Sequence, residues 1–98
     1  MFFKDRFRRF GKGCCRFKNW MRGKTDHGSL EEEDCRGTCK SNKKCFAFDL
    51  STNNTNPSTY ECRTYTGNGI NFRTMKCGSD NEVCYADFSK IDIRGKKA

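Results

Sequence analysis

Residues 29–48 read SLEEEDCRGTCKSNKKCFAF and contain the pattern that decides the fold. Ser29 and Glu32 have the spacing of a capping box, in which two side chains satisfy backbone N–H groups at the start of a helix. The acidic residues 31–34 favour the positive end of the helix dipole. This part of the chain therefore predicts a helix of about two to four turns that begins near Leu30.

Two cysteines lie on one face of the predicted helix, because Cys35 and Cys39 are four positions apart. Gly37 weakens the helix by up to about 1 kcal/mol relative to alanine, which does not abolish the pattern. Residues 45–50, CFAFDL, then have the composition of a strand. We therefore predict a short helix that its cysteines join to neighbouring strands.

The length and the cysteine content indicate one small domain held by disulfide bonds. The chain has 98 residues, of which 34% are hydrophobic and 33% charged, so a single domain with a thin core is expected. Eight cysteines in so short a chain are typical of a disulfide framework. Each bridge stabilises by about 2–4 kcal/mol, mainly by restricting the unfolded chain. Such bridges persist in oxidising compartments, so we expect a secreted, extracellular protein.

The sequence contains no apolar run that approaches the ~20 residues of a membrane-spanning helix. Residues 1–10, MFFKDRFRRF, lack the apolar region of a secretory signal peptide. We therefore expect the sequence of a mature domain, either given from its own start or with its leader removed.

Outside residues 29–50, short strand patterns alternate with turn-forming residues. Strands are expected over residues 15–21, 60–65, 70–75 and 83–88, with Ile91 and Ile93 as an extension of the last, and turns over residues 22–28, 51–59 and 67–69. This order predicts an α+β fold, a small disulfide-rich domain with one helix packed on an antiparallel sheet of about four to five strands.

The formal charge of +8 is carried by the first quarter of the chain. Residues 1–24 contain nine Lys or Arg and one acid, whereas residues 25–98 contain 11 of each. Phe3, Phe7 and Phe10 have the spacing of one helix face. The segment therefore combines basic and aromatic residues, as polyanion-binding and membrane-surface segments do.

Three segments follow from this charge and cysteine distribution. Residues 1–13 are predicted to be a basic aromatic N-terminal arm, either a short amphipathic helix or disordered. Residues 14–93 are predicted to form the cysteine-rich domain, and residues 94–98 a polar C-terminal tail.

A family resemblance rests on three cysteine-containing stretches. They are EDCRGTCKSNKKCFAFDL at residues 33–50, YECRTY at residues 60–65 and CYADF at residues 84–88. They resemble the PAN/apple domain family, in which a helix with two cysteines four apart precedes a strand that opens on a third. Within that family the chain is similar to the N-terminal domain type of hepatocyte growth factor. The resemblance covers about residues 14–93.

The resemblance also implies a disulfide pattern, whereas eight cysteines alone allow about 105 connectivities. It implies Cys35–Cys62 and Cys39–Cys45. It also implies a bridge between the chain ends, from Cys14 or Cys15 to Cys84, and leaves the other N-terminal cysteine for Cys77.

The resemblance implies a non-catalytic extracellular recognition module that binds carbohydrate, of the sulfated, heparin-like polyanion type, or protein partners. In the family, basic residues cluster near the helix C-terminus, and here Lys40, Lys43 and Lys44 lie in that region. Together with the arm, the candidate polyanion-binding residues are Lys4, Arg6, Arg8, Arg9, Lys12, Arg16, Lys18, Arg22, Lys24, Lys40, Lys43 and Lys44.

An alternative function is that of a secreted, membrane-active defence or toxin-like protein. Its arm would place phenylalanines at the lipid headgroups while its arginines bind anionic lipid. Nucleic-acid binding suits the charge of the arm but fits an oxidising compartment poorly.

Catalysis and metal binding have little support in the sequence. His27 is the one histidine, and eight cysteines in bridges leave no thiol for a Cys–His nucleophile pair. A structural zinc site is the main rival for the cysteines, but Cys77 and Cys84 are too far apart for a second close pair. We therefore expect no enzyme activity, no cofactor and no metal.

Asn53 begins an N-x-T glycosylation acceptor, N-N-T, in the predicted loop at residues 51–59. The specific ligand and the oligomeric state do not follow from the sequence.

Overall fold

The computed structural model describes residues 6–52, 58–78 and 81–92. Within these ranges the helices and strands follow one another in a regular order. They are β1 Phe7–Lys12, β2 Cys14–Arg16, α1 Trp20–Gly23, β3 Lys24–Leu30, α2 Glu32–Ser41, β4 Cys45–Thr52, β5 Tyr60–Thr66, β6 Arg73–Met75, β7 Glu82–Asp87 and a 3-10 helix Phe88–Lys90.

Five strands form one antiparallel sheet in the order β1-β7-β4-β5-β3. Helix α2 packs on one face of this sheet, against β4 and β5. The two-stranded ribbon of β2 and β6 lies on the other face. The predicted α+β fold, with one main helix on an antiparallel sheet of four to five strands, is confirmed.

Strand β4 lies at the centre of the sheet and is covered on both faces, so that its first six residues are all buried. Phe48 and Leu50 pack in the cluster under α2. Phe46 and Ala47 pack in the second cluster, under the ribbon. Phe46 and Phe48 would share a face in a regular strand, but a register shift between Cys45 and Ala47 turns Phe46 to the other side.

Four disulfide bonds connect these layers. Cys35–Cys62 and Cys39–Cys45 join α2 to the sheet, in the pairing that the family resemblance implies. The sequence left two choices open for the N-terminal cysteines, and the structure pairs Cys15 with Cys84 and Cys14 with Cys77. β2 is thereby tied both to the sheet and to the segment after β6.

The N-terminal segment differs from its prediction. The described part is neither helical nor disordered, because Phe7–Lys12 forms the edge strand β1, paired with β7. Phe7 is 3% exposed and packs under α2, whereas Phe10 packs against the opposite cluster. A register shift between Arg9 and Gly11 accompanies this change of face. The spacing that resembles one helix face therefore places Phe7 and Phe10 in two separate core clusters.

The predicted capping box is also wrong. Strand β3 continues to Leu30, and Ser29 donates a hydrogen bond from Oγ to Glu61 Oε2 at 3.1 Å. Helix α2 therefore starts after Glu31, which gives it no side-chain cap, and the acidic first turn is Glu32 to Asp34. Because strand pairing with β5 satisfies the backbone around Ser29, the start of the helix moves two residues later than expected.

Three further segments differ from their prediction. Most of the predicted turn at residues 22–28 belongs to β3. This strand lies at an exposed edge of the sheet, and its mostly polar residues do not alternate with apolar ones. The predicted strand at residues 15–21 stops at Arg16 and is followed by α1. The strand at residues 70–75 is reduced to β6, preceded by an isolated bridge at Ile70. Ile93 and residues 94–98 lie outside the described part of the chain.

Because β1 supplies an edge strand and a core phenylalanine, removal of residues 1–12 should strongly destabilise the fold. The Phe7→Ala variant alone should lower the free energy of unfolding by about 3–5 kcal/mol, through lost burial and the cavity left behind. Urea unfolding followed by circular dichroism measures both changes. The Met21→Ala variant is the control, because Met21 is 72% exposed. An unchanged midpoint after removal of residues 1–12 would contradict the structural role of β1.

Candidate polyanion-binding site

One end of the sheet collects cations from distant parts of the sequence. Because neighbouring strands are antiparallel, the starts of β1, β4 and β3 meet the ends of β7 and β5 at this end. The pairs Phe7–Asp87, Cys45–Thr66 and Lys24–Tyr65 define it. We call this end the basic rim, and its cations are Arg6, Lys18, Arg22, Lys24, Lys40, Lys43, Lys44 and Lys90.

Four of these cations line one open pocket, with a volume of about 370 Å³. Lys40 comes from the last turn of α2 and Lys43 from the turn that follows it. Arg6 immediately precedes β1, and Lys90 ends the 3-10 helix after β7. We call this depression the Arg6 pocket. It brings together three separate segments of the chain, and every one of them contributes at least one positive side chain.

Arg6 is the most firmly held of the four. Its Nη2 donates to the backbone oxygen of Cys45 at 3.3 Å, and its Nε lies 3.4 Å from Asp87 Oδ2. Its guanidinium carbon lies 4.5 Å from the centre of the Phe7 ring. These contacts fix the guanidinium at the pocket wall, so that it needs little ordering before a ligand arrives.

The three lysine residues are exposed. Hydrogen bonds fix the backbone of the segments that carry two of them, Lys90 and Lys43. Asp87 accepts from Ser89 N at 3.0 Å and so fixes the 3-10 helix that carries Lys90. Asn42 Oδ1 accepts from the backbone N–H of Lys44 at 2.9 Å and shapes the turn that carries Lys43. Among the described residues, none of the three lysines forms an ion pair.

This arrangement attracts anions with several negative charges. Like charges around one pocket repel one another, and a polyvalent anion relieves that repulsion while it gains charge-assisted hydrogen bonds. All four lining residues are cations, and the carboxylate that contacts Arg6, Asp87, is 5% exposed and also accepts from Ser89. The open face of the pocket is therefore positive.

The remaining predicted cations are distributed differently. Arg8, Arg9 and Lys12 are exposed along β1 and lead away from the rim, because Lys12 pairs with Val83 at the other end of the sheet. The guanidinium of Arg16 lies 3.7 Å from the centre of the Trp20 ring and donates to Cys15 O at 2.7 Å. Lys4 and Asn53 lie outside the described residues.

Lys90 was not predicted as a site residue. Residues 25–98 have no net charge, and nothing near Lys90 in the sequence indicates a cluster. Only the pairing of β1 with β7 places it beside Arg6. The alternating pattern of VCYADF predicts a strand. If β1 had been recognised as the neighbour of that strand, Lys90 would have been expected beside Arg6.

The opposite end of the sheet is rich in acidic residues. Helix α2 begins there, with Glu31, Glu33 and Asp34 exposed. Glu61 and Glu82 lie near the starts of β5 and β7 at the same end. The helix therefore runs from the acidic end to the basic rim, with each charge at the helix terminus where the dipole favours it.

A buried polar network lies in the middle of the molecule, away from the rim. Asp49 is fully buried and accepts three hydrogen bonds, from Arg63 Nε at 2.6 Å, Tyr65 Oη at 2.7 Å and Cys15 N at 2.9 Å. Burial by itself lowers the pKa of Arg63, but the charge and hydrogen bond of Asp49 outweigh it and raise this pKa. Since each partner is a structural group of β2 or β5, we interpret the network as structural.

Two other chemical candidates are occupied by structural contacts. His27 Nε2 lies 2.8 Å from Thr64 Oγ1, across the β3–β5 pair. Cys14, Cys77 and Glu82 have the spacing of metal ligands, but Cys14 and Cys77 are joined to each other and offer no thiolate.

Comparisons of the chain with protein families, with curated proteins and with solved structures gave no significant match. In the described part of the chain, no helix has the length and apolar character that a membrane crossing requires. The fold and the site define a small disulfide-rich α+β domain with a cationic pocket at one end of its sheet.

The Asp49 network predicts a strong effect of a single charge change. The Asp49→Asn variant should lower the free energy of unfolding by about 3–5 kcal/mol, because it leaves the Arg63 guanidinium partly buried without its counter-charge. Glu33→Gln is the control, since Glu33 is exposed and its loss should cost less than about 1 kcal/mol. Urea unfolding measures both, and equal effects would contradict the interpretation of the network.

Tyr65 predicts a loss of stability at alkaline pH. Burial raises its pKa above the ordinary value of 10, and the charge and hydrogen bond of Asp49 raise it further. A raised pKa in the folded state gives stabilisation that is complete below pH 10 and decreases as the pH rises beyond it.

The free energy of unfolding should therefore fall above pH 10, with a slope to which Tyr65 contributes at most about 1.4 kcal/mol per pH unit. The Tyr65→Phe variant should have a shallower slope in urea unfolding at a series of alkaline pH values. The Phe17→Leu variant controls for general destabilisation of the same cluster and should keep the slope of the wild type. Equal slopes for wild type and Tyr65→Phe would contradict the assignment.

Proposed function

We propose that this chain is a non-catalytic, extracellular recognition module that binds sulfated glycans, and that the Arg6 pocket is its binding site. One observation carries the proposal, the convergence of Arg6, Lys40, Lys43 and Lys90 from three separate segments on one open pocket. Sulfate groups provide fixed negative charges and acceptor oxygens that suit such a set of donors.

The positions of the lysines support this choice of ligand. Lys40 and Lys43 lie at the C-terminus of α2, which is the region where the PAN/apple resemblance implies a glycan site. Arg6 joins them from the N-terminal segment, which the sequence predicts as a separate polyanion-binding arm. One cation of the predicted arm and two lysines of the region after α2 therefore line the same pocket.

A secreted and non-catalytic role is supported by the state of the reactive groups. All eight cysteines are bonded in disulfides, which persist in oxidising compartments. The buried carboxylate Asp49 is occupied by hydrogen bonds, and His27 contacts Thr64.

The membrane-active alternative loses part of its original basis. Phe7 is 3% exposed, and Phe10 packs edge-on against Phe72 at a centroid distance of 4.9 Å. These two phenylalanines belong to the core, so that hypothesis would depend on Phe2 and Phe3, outside the described residues.

The test of the proposed function compares two variants with the same loss of charge. The triple variant Lys40→Gln, Lys43→Gln and Lys90→Gln removes the exposed cations of the Arg6 pocket. The control variant Arg8→Gln, Arg9→Gln and Lys12→Gln removes three exposed cations of β1 that lie outside it. Both should keep the stability of the wild type, which circular dichroism checks.

Calorimetric titration with heparin should show a loss of affinity of about 100-fold for the pocket variant, at roughly 1 kcal/mol for each cation that faces an anionic surface. The plot of log affinity against log salt should also become less steep by about one for each cation removed. The control variant should lose less than about tenfold. Equal losses in the two variants would show that only the total charge matters and would overturn the pocket.

Anionic lipid vesicles and unsulfated hyaluronan separate the other outcomes. Vesicle binding that persists at high salt, without heparin binding, would favour the membrane-active hypothesis. Binding of hyaluronan as tight as that of heparin would contradict a requirement for sulfate.

A further inference from the structure

A second cationic pocket opens on the basic rim, on the other side of the sheet from α2. Its walls come from residues 17–23 and from residues 66–68, and its volume is about 170 Å³. Lys18 and Arg22 supply its charges, and Asn19 and Asn68 supply amide groups. We call it the Arg22 pocket.

The backbone of the Arg22 pocket is closely fixed. Lys18 N donates to Ile70 O at 2.8 Å, and Arg22 N donates to Asn19 O at 3.1 Å. Asn19 has a φ of 63°, in the left-handed region that asparagine tolerates better than most residues. Gly23 lies so close to the Thr66 carbonyl that no side chain fits there. The pocket is therefore formed before any ligand is present.

The polar groups of this pocket suit an oxyanion. Asn68 Oδ1 accepts the backbone N–H of Ile70 at 3.3 Å, which leaves the side-chain NH₂ of Asn68 as its donor. Lys18 and Arg22 are exposed, and among the described residues neither forms an ion pair. A sulfate in this pocket could accept from both kinds of donor.

The two pockets lie along the same rim and share no lining residue. Lys44, next to the Arg6 pocket, directly precedes Cys45, whose partner in the sheet is Thr66 in the wall of the Arg22 pocket. On the other side, the backbone of Gly69 lies against Lys90 O, so closely that a Cβ would stand 2.5 Å from that oxygen. Lys44 and this loop contact therefore connect the two sites.

The separation of the pockets sets the length of a ligand that fills both. From β1, which follows Arg6, to β5, which ends at Thr66 in the wall of the Arg22 pocket, the rim crosses three strand spacings of about 4.8 Å, which is roughly 14 Å. A single sulfate or a single sugar cannot reach across that distance. A linear, multiply sulfated chain can place charged groups in both pockets and pass over Lys44.

We propose that the basic rim binds one extended sulfated oligosaccharide, with one end in the Arg6 pocket and the other in the Arg22 pocket. This inference rests on the proposed function and names the form of its ligand. Because the second pocket is bound intramolecularly once the first is filled, affinity rises sharply at the chain length that spans the rim.

The test is a calorimetric titration with size-fractionated heparin oligosaccharides, from disaccharide upward. In the wild type, affinity should increase by about tenfold or more between a chain that fills one pocket and a chain that fills both. The Lys18→Gln, Arg22→Gln variant should bind short chains as the wild type does and should lack the increase. The Arg8→Gln, Lys12→Gln variant has the same charge and should keep it.

The outcomes separate this inference from the proposed function. If short and long chains bind with the same affinity, or if the Lys18→Gln, Arg22→Gln variant keeps the full increase, the two-pocket ligand is wrong while the Arg6 pocket stands. If no chain of any length binds the wild type, the proposed function itself fails. If long chains bind several protein molecules and the increase disappears at equimolar ratio, the increase reflects multiple occupancy, and the inference is overturned.

Discussion

One buried carboxylate connects the parts on which the rest of the structure depends. Asp49 lies in the central strand and receives hydrogen bonds from the adjacent strand β5 and from the backbone of β2 in the second layer. A charge in this position is stable only because its partners satisfy it completely. The network thereby fixes the distance and register between the sheet and the ribbon, and the bridges at Cys14 and Cys15 hold the same junction covalently. The surface sites inherit their geometry from that junction, since the Arg22 pocket lies where the chain leaves β2.

The first quarter of the sequence is basic, but in the folded protein the cations of several segments lie together at one end of the sheet. The antiparallel order of the strands explains this arrangement. Arg6 and Lys90 belong to opposite ends of the sequence, and they meet because β1 pairs with β7. Cys39–Cys45 closes a short loop and holds Lys40 and Lys43 against the same edge. The acidic start of α2 is carried to the other end of the sheet, because the helix spans its length. In the described part of the chain, the acidic residues at the start of α2 and the lysines at and after its end are therefore separated in space.

Local patterns in the sequence carried the prediction of the main helix, of β4, β5 and β7, and of the fold class. The two cysteines four apart placed the helix, and the apolar run at residues 45–50 placed the central strand, because both signals are short-range. Ser29 misled the prediction, since its backbone is engaged in a strand pair that no local pattern reveals. Phe7 and Phe10 also misled the prediction. Their spacing is that of a helix face, but they lie in a strand in which a bulge changes the side that the later residues face. Of the candidate site, the lysines of residues 40–44 were predictable, whereas the contribution of Lys90 and the position of both pockets on one rim depend on pairing between distant segments.

Helix α2 carries acidic residues at its start and basic residues at and after its end, so that its side-chain charges form a dipole whose positive end lies at the basic rim. In the field of a polyanionic surface, such a molecule rotates before contact, so that its basic rim leads and most encounters occur in a productive orientation. The association rate constant is then higher than that of a uniformly charged protein of the same size. This advantage decreases as added salt shortens the Debye length. If the rim binds such a surface as proposed, the start of α2, with Glu31, Glu33 and Asp34, faces the solvent. A glycan surface coated with this protein would thus change the sign of the charge that the next arriving molecule meets.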